Sequence, residues 1–268
     1  ENLNMVIAVA VVVIVIVGGF VFLTVKSDTK PMFTTVQSES MQHSGESQIG
    51  VIDTADMIIV KNKDQGFTTY VDGRQSGYQS FGDYGDVIIY KRAGKNPVIH
   101  RAILYLEYDL ANNVWRAPSL ENYPSELWEN EGSDDWRYLS GKLTLKDLSF
   151  YHRDATIDLD VLPHISGYLT KGDNVTNMTF DQPYIIDHLV TYGEINSVAW
   201  LEIPWGGVPK MLTEGKLNII QTKVPNAIPC MVVSIIGIIG FIFAIDALNT
   251  IRIDMGYERT LKDRKKQG

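Results

Sequence analysis

Two long uncharged apolar runs, one near each end of the chain, limit what this sequence can fold into. The first covers residues 5–25 and the second residues 227–245, and neither contains Asp, Glu, Lys or Arg. A helix of about 20 apolar residues crosses the hydrocarbon core of a bilayer. We therefore predict an N-terminal transmembrane anchor over residues 1–25 and a C-terminal transmembrane helix over residues 226–248.

Each run has an alternative interpretation. A cleavable signal peptide has an apolar core of only about 7–15 residues, so the length of the first run favours a permanent anchor. A buried core helix is the alternative for the second run. Gly237 and Gly240 lie inside that run, and glycine is costly in soluble helices but common in membrane helices. The membrane interpretation is therefore favoured for both runs.

Charge predicts the orientation in the membrane. Residues 249–268 contain six Lys or Arg and three Asp or Glu, whereas the whole chain carries a net charge of −8. Positively charged flanks stay in the cytoplasm. We expect a two-pass protein of the cell membrane, with both termini and the basic tail of residues 249–268 cytoplasmic and residues 26–225 outside. The acidic middle would repel phosphates, so no nucleic-acid partner is expected.

Cysteine usage excludes some site chemistry. Cys230 is the only cysteine, and it lies inside the second apolar run. The chain therefore has neither a disulfide framework nor a thiolate zinc site. We expect no metal and no organic cofactor.

The middle of the chain predicts a mainly β domain. Strands are expected where β-branched residues cluster between Gly, Pro and Asp turns; these segments are residues 50–60, 86–92, 97–106, 165–171 and 197–203. Repeated Gly, Tyr and Ser over residues 72–85 indicate an exposed hairpin loop. The acidic and aromatic stretch of residues 104–163 predicts an inserted lobe, in which packing is favoured over a docking surface for the tryptophans.

Three polar groups in this domain could form a hydrolytic site. Ser38 and Ser40 follow the first apolar run, His100 lies within an apolar strand, and Asp173 and Asp181 lie further along. Serines in turns usually bond the backbone, and a lone strand histidine is usually a core residue. However, an imidazole can take the proton of a serine hydroxyl, and a carboxylate can fix its tautomer.

The order of four motifs resembles the type I signal peptidases. The motifs are Ser-Glu-Ser-Met at 38–41, Gly-Asp-Val-Ile-Ile-Tyr at 85–90, His-Arg at 100–101 and Leu-Thr-Lys-Gly-Asp-Asn at 169–174. The Ile-Pro-Trp-Gly-Gly stretch at 203–207 is also similar to a stretch near the end of that domain. The chain most resembles the archaeal and endoplasmic-reticulum branch, in which histidine replaces the bacterial lysine base.

The resemblance implies a role for each candidate residue. Ser40 would be the nucleophile, and the Ser38 hydroxyl would join the Ser40 amide in an oxyanion hole. His100 would be the general base. Asp181 is favoured as the third member of the triad, with Asp173 as the alternative. His43 lies outside the pattern and is interpreted as an ordinary turn or surface residue.

The resemblance also implies the reaction. It predicts a signal-peptidase-like β catalytic domain with an inserted lobe, flanked by two transmembrane helices. This membrane-bound serine endopeptidase would cut signal peptides from exported preproteins after small residues, with the translocation machinery as a further partner. Two alternatives stay open, namely a specialised or self-processing relative and a non-enzymatic membrane assembly subunit.

Overall fold

The computed structural model describes residues 2–176 and 179–266, and it confirms a mainly β domain between helices. The helices are α1 (Asn2–Ser27), α2 (Tyr70–Ser76), α3 (Val208–Thr213), α4 (Leu217–Lys223) and α5 (Ala227–Lys266). The strands are β1 (Phe33–Thr35), β2 (Met57–Lys61), β3 (Gln79–Ser80), β4 (Asp83–Tyr84), β5 (Val87–Arg92), β6 (Lys95–Asp109), β7 (Val114–Arg116), β8 (Trp128–Asn130), β9 (Lys142–Leu148), β10 (Arg153–Asp158), β11 (Gly167–Lys171) and β12 (Ile195–Ile203).

The main sheet is antiparallel and has the order β1-β2-β12-β5-β6-β11, with β7 also paired to β6. In its register, Ile88 on β5 faces His100 on β6, and Ala102 on β6 faces Thr170 on β11. Side chains alternate between the two faces of a strand. Tyr90, two residues after Ile88, therefore lies on the same face of the sheet as His100 and Thr170.

Four of the five predicted strands form over nearly their full length, but only the last four residues of the segment 50–60 belong to a strand, β2. Residues 50–56 form a turn that contains the buried residues Asp53 and Asp56. The backbone N–H of Gln48 donates to Asp53 Oδ2 at 2.5 Å, and the N–H of Asp53 donates to Asp56 Oδ2 at 2.7 Å. These side chains satisfy the backbone locally, which competes with strand pairing.

The predicted hairpin loop over residues 72–85 is wrong in its first half. That part belongs to helix α2, and only β3 and β4 form a hairpin. The Thr69 hydroxyl accepts from the N–H of Asp72 as an N-cap, and Gly77 ends the helix in a left-handed conformation. Both signals are typical of helix ends.

The predicted lobe over residues 104–163 begins too early, because residues 104–109 continue β6 of the main sheet; the rest of the segment contains a small sheet of its own, in the order β10-β9-β8. Trp115 and Trp128 are buried in the same apolar cluster as Leu104 and Leu169 from the main sheet. The Trp115 indole N–H donates to the carbonyl of Leu159 at 3.2 Å. The tryptophans therefore pack inside the molecule and hold the insertion against the sheet.

Helix α5 contains the one stretch, Ala227–Ile245, that is long and apolar enough to cross a membrane among the described residues. A shorter apolar stretch, Val13–Ser27, lies in α1. Part of the predicted anchor over residues 1–25 lies outside the residues whose side chains the structure describes. The predicted basic tail over residues 249–268 falls wholly outside them.

Candidate active site

Ser40 lies on a tight turn that follows the edge strand β1. The backbone N–H of Gln42 donates to the carbonyl of Glu39 at 3.0 Å and closes this turn. Met41 is buried and anchors the turn in the core, which leaves Ser40 half-buried. The hydroxyl oxygens of Ser38 and Ser40 are 3.2 Å apart and share a hydrogen bond.

The motif at 169–174 meets the serine turn through Asn174. The Asn174 backbone N–H donates to the carbonyl of Ser40 at 2.9 Å. Its side-chain amide donates to the carbonyl of Glu39 at 2.6 Å. One asparagine thus holds the two carbonyls on either side of the Ser40 amide.

His100 and Asp181 form a buried pair. His100 Nδ1 lies 2.7 Å from Asp181 Oδ2 and 2.8 Å from Oδ1, and the two residues are 2% and 0% exposed. The Thr170 hydroxyl donates to Asp181 Oδ2 at 2.6 Å, and the Tyr90 hydroxyl donates to the same oxygen at 2.8 Å. An ionised Asp181 would require the proton on Nδ1, which leaves Nε2 to accept one.

The electrostatics of this pair favour an ionised carboxylate. Burial acts to raise the pKa of Asp181, but the charge and hydrogen bond of His100, with the hydroxyls of Thr170 and Tyr90, outweigh it. The pKa of Asp181 is therefore lowered from its usual value. Hydrogen bonds and an opposite charge stabilise the ionised form.

Asp173 has a different partner. Arg101 Nε donates to both carboxylate oxygens of Asp173 at 3.0 and 3.1 Å, and Nη2 donates to Oδ2 at 2.5 Å. Burial acts to raise the pKa of Asp173, but Arg101 and the nearby His43 lower it to about 2. Arg101 Nη1 also donates to the carbonyls of Tyr84 and Gly85. Asp173 and Arg101 thus join the β3-β4 hairpin to the turn that carries Asn174.

Ser38, Ser40 and His100 all line one cleft of about 910 Å³. The walls combine polar and apolar side chains in equal number, and the apolar ones include Phe33, Val36, Ile89, Ile99 and Ile185. In the described part of the chain, the Ser40 hydroxyl bonds Ser38 and has no hydrogen bond to His100. Catalytic hydrogen bonds of this type are often long before substrate binds.

His43 is not the surface residue that the sequence indicates. Its ring stacks on Phe150 with centroids 3.7 Å apart, and its side chain is only 9% exposed. His43 Nε2 lies 3.7 Å from Asp173 Oδ2. The ring therefore belongs to the Arg101–Asp173 cluster. Within the described residues, no group of His, Cys, Asp and Glu side chains is arranged to hold a metal ion.

Sequence reasoning gave no role to Tyr90 and Thr170, although both lie within the quoted motifs. Their contacts with Asp181 follow from the register of β5, β6 and β11. Tyr90 lies two residues after Ile88, which pairs with His100, and Thr170 pairs with Ala102. Both side chains therefore lie on the same face of the sheet as His100. The strand register would have identified both residues, but register is a property of the pairing between strands and cannot be read from one strand alone.

The motifs that resemble the signal peptidases converge around the cleft, since Ser40, His100 and Asn174 all lie at or beside it. In comparisons with known proteins, the chain matches no protein-family model, no curated protein and no solved structure.

Proposed function

We propose that this chain is a membrane-anchored serine endopeptidase of the signal-peptidase type. The observation that carries the proposal is the hydrogen bond between the buried Asp181 and His100, which lines the same cleft as Ser40. A nucleophile, a base and a group that orients the base are the elements of a serine-protease site. The resemblance of the four motifs identifies the proposed substrate as a signal peptide that ends in small residues.

In the proposed reaction, the Ser40 hydroxyl attacks the scissile carbonyl while its proton passes to Nε2 of neutral His100. The carbon–nitrogen bond then breaks, and the same proton goes to the leaving amine. Water hydrolyses the acyl-enzyme and restores Ser40. Asp181 stabilises the imidazolium that forms, and the Ser38 hydroxyl with the Ser40 amide would hold the oxyanion, as preorganised donors do in other hydrolases.

The apolar helix supports the membrane part of the proposal. Ala227–Ile245 is long and apolar enough to cross a bilayer, and the proposed second span is α1. An enzyme held in the bilayer diffuses in the same plane as a membrane-bound preprotein. The cleavage site is then presented near Ser40 at a raised effective concentration.

The test uses the purified full chain in lipid vesicles with a preprotein and with the corresponding mature domain. The wild type should cut only the preprotein, and Ser40→Ala should lose roughly 10⁶-fold in rate, as other serine proteases do without their nucleophile. Ser125→Ala, at an exposed position in the inserted segment, is the matched control and should cut normally. Cleavage by Ser40→Ala at the wild-type rate would contradict the proposal.

A further inference from the structure

The loop that carries Ser40 is bonded to the residues that lead into the apolar helix. We call residues 37–50 the serine loop and residues 223–226, which join α4 to α5, the junction. The Gln42 side-chain amide donates to the Lys223 carbonyl at 3.0 Å. The Ser47 N–H donates to Asn226 Oδ1, and Asn226 Nδ2 donates back to the Ser47 carbonyl, both at 2.8 Å.

These contacts are made by groups held within the fold. Gln42 is 2% exposed, and its Oε1 accepts from the Thr54 hydroxyl at 2.5 Å. One Asn226 side chain satisfies both backbone groups of Ser47, which is 7% exposed. Buried polar groups that lose their partners destabilise the arrangement that they occupy. The serine loop is therefore fixed to the junction at Gln42 and at Ser47, and the half-exposed ion pair between Glu39 and Lys223 adds a third contact.

The junction is in turn fixed to the core. Val224 and Ala227 are fully buried in a cluster with Ala55, Val208 and Met211. Asn226 directly precedes Ala227, the first residue of α5. The start of the apolar helix and the serine loop are thus linked by direct hydrogen bonds.

Asn174 holds the Ser40 turn as well. Asn174 bonds the carbonyls of Glu39 and Ser40, and Gln42 lies two residues after Ser40. The nucleophile turn is therefore bonded both to Asn174 and to the junction. The described lining of the cleft includes no junction residue, so loosening the junction should move the Ser40 turn without displacing the lining residues on β5 and β6.

We propose that Asn226 is a positioning residue for the nucleophile, and that the start of α5 fixes the Ser40 turn through Asn226 and Gln42. This inference rests on the proposed peptidase function, which it deepens. A small misplacement of a reacting group can cost about 100-fold in rate. A positioning role therefore predicts a loss in kcat with little change in KM.

The experiment compares Asn226→Ala with Asn218→Ala in the full chain in lipid vesicles. Asn218 is exposed on α4 and serves as the matched control. We expect Asn226→Ala to lower kcat by about 10- to 100-fold with KM within about twofold of wild type, and Asn218→Ala to behave as wild type. A rise in KM at constant kcat, or equal effects of the two variants, would overturn the proposal.

A second readout does not depend on catalysis. Amide hydrogen exchange in Asn226→Ala should accelerate over residues 39–48 and stay unchanged in β9 and β10. Unchanged exchange at Ser47 would overturn the proposal whatever the kinetics. If the wild-type chain cuts no preprotein, the proposed function fails, but this exchange measurement still decides whether Asn226 fixes the serine loop.

If Asn226→Ala does not fold, Thr54→Val provides the test. This change removes only the hydroxyl that donates to Gln42 Oε1. Thr54→Val should lower kcat by less than the 10- to 100-fold expected for Asn226→Ala. Amide hydrogen exchange near Gln42 should be faster than in the wild type. Wild-type kcat together with wild-type exchange in Thr54→Val would overturn the proposal.

Discussion

At the scale of single residues, two neighbours on β6 form hydrogen bonds with two different carboxylates. His100 bonds Asp181, whereas Arg101 bonds Asp173. Consecutive residues of a strand point to opposite faces, so the two pairs lie on opposite sides of the sheet. The open choice between Asp181 and Asp173 thus has a geometric answer for contact with His100, while the catalytic role of Asp181 stays a prediction.

The first residue-scale prediction concerns the general base. His100→Ala should lose roughly 10⁶-fold in preprotein cleavage, because other serine proteases lose that much without their base. The matched change is Lys171→Met at a buried lysine close to the motifs. Lys171 lies opposite Arg101 in the β6-β11 register, and its Nζ donates to the Gly172 carbonyl.

Burial lowers the pKa of Lys171, so its amine is the natural rival to His100 as a base. We expect Lys171→Met to keep most of its activity, since its partner is a backbone carbonyl on the Arg101 side of the sheet. Steady-state cleavage rates and circular dichroism of both variants provide the check. An active His100→Ala beside a folded but inactive Lys171→Met would assign the base to the lysine.

At the scale of secondary-structure elements, the carboxylates of half-buried Glu202 and buried Asp56 connect the end of β12 to the loops beside it. Glu202 on β12 accepts from the N–H of Gly50 at 2.7 Å, and Asp56 accepts from the N–H of Trp205 at 2.8 Å. Glu202 Oε1 is buried without a hydrogen-bond partner. Burial raises the pKa of Glu202 to about 7; the bond from Gly50 opposes this rise and the charge of Asp53 adds to it.

The element-scale prediction concerns the pH dependence of stability. Because the folded pKa of Glu202 lies above its unfolded value of 4.5, its stabilising contribution is complete below pH 4.5 and is lost as pH rises through about 7. Glu202→Gln keeps an acceptor for Gly50 and removes the charge. The variant should match the wild-type Tm at pH 4 and exceed it at pH 8 by roughly 2–4 °C.

Thermal melts at both pH values provide the measurement, with Glu107→Gln at an exposed position of β6 as the control. The difference in Tm between this control and the wild type should be the same at pH 4 and at pH 8. A Glu202→Gln variant with a lower Tm than wild type at pH 8 would mean that the charged carboxylate stabilises the contact between β12 and the loops beside it.

At the scale of the whole molecule, the chain is a β domain with a long helix at each end. The side chains of α5 from Val232 to Ile245 are mostly exposed and apolar, as are those of α1 from Val13 to Val25. Exposed apolar surfaces of this extent mark contact with another phase or partner. We expect a bilayer to cover them, with the β domain outside the cell.

The whole-molecule prediction is tested in sealed inverted vesicles, whose cytoplasmic face is outward. Added protease should remove the tail of residues 259–268 and spare the β domain, because the positively charged flank is expected to be cytoplasmic. Immunoblots against the tail and the domain provide the measurement, and detergent-opened vesicles are the control. Digestion of the β domain in sealed vesicles would reverse the predicted topology.

Much of the fold could be predicted from the sequence because its signals are local. The apolar run at 227–245 needs only composition, and the strands at 86–92 and 97–106 need only β-branched residues between turns. The turn at 50–56 and helix α2 were missed. In both, side chains bond the backbone nearby, and these bonds decided the local structure.

The sequence by itself determined the apolar ends, the mainly β middle and the candidate residues Ser40, His100, Asp173 and Asp181. Only the tertiary structure decided which carboxylate contacts His100, since this pair is separated by 81 positions. It also placed Asn226 against Ser47, 179 positions away. Such contacts depend on strand register and on how the loops close, and neither leaves a periodic pattern in the chain.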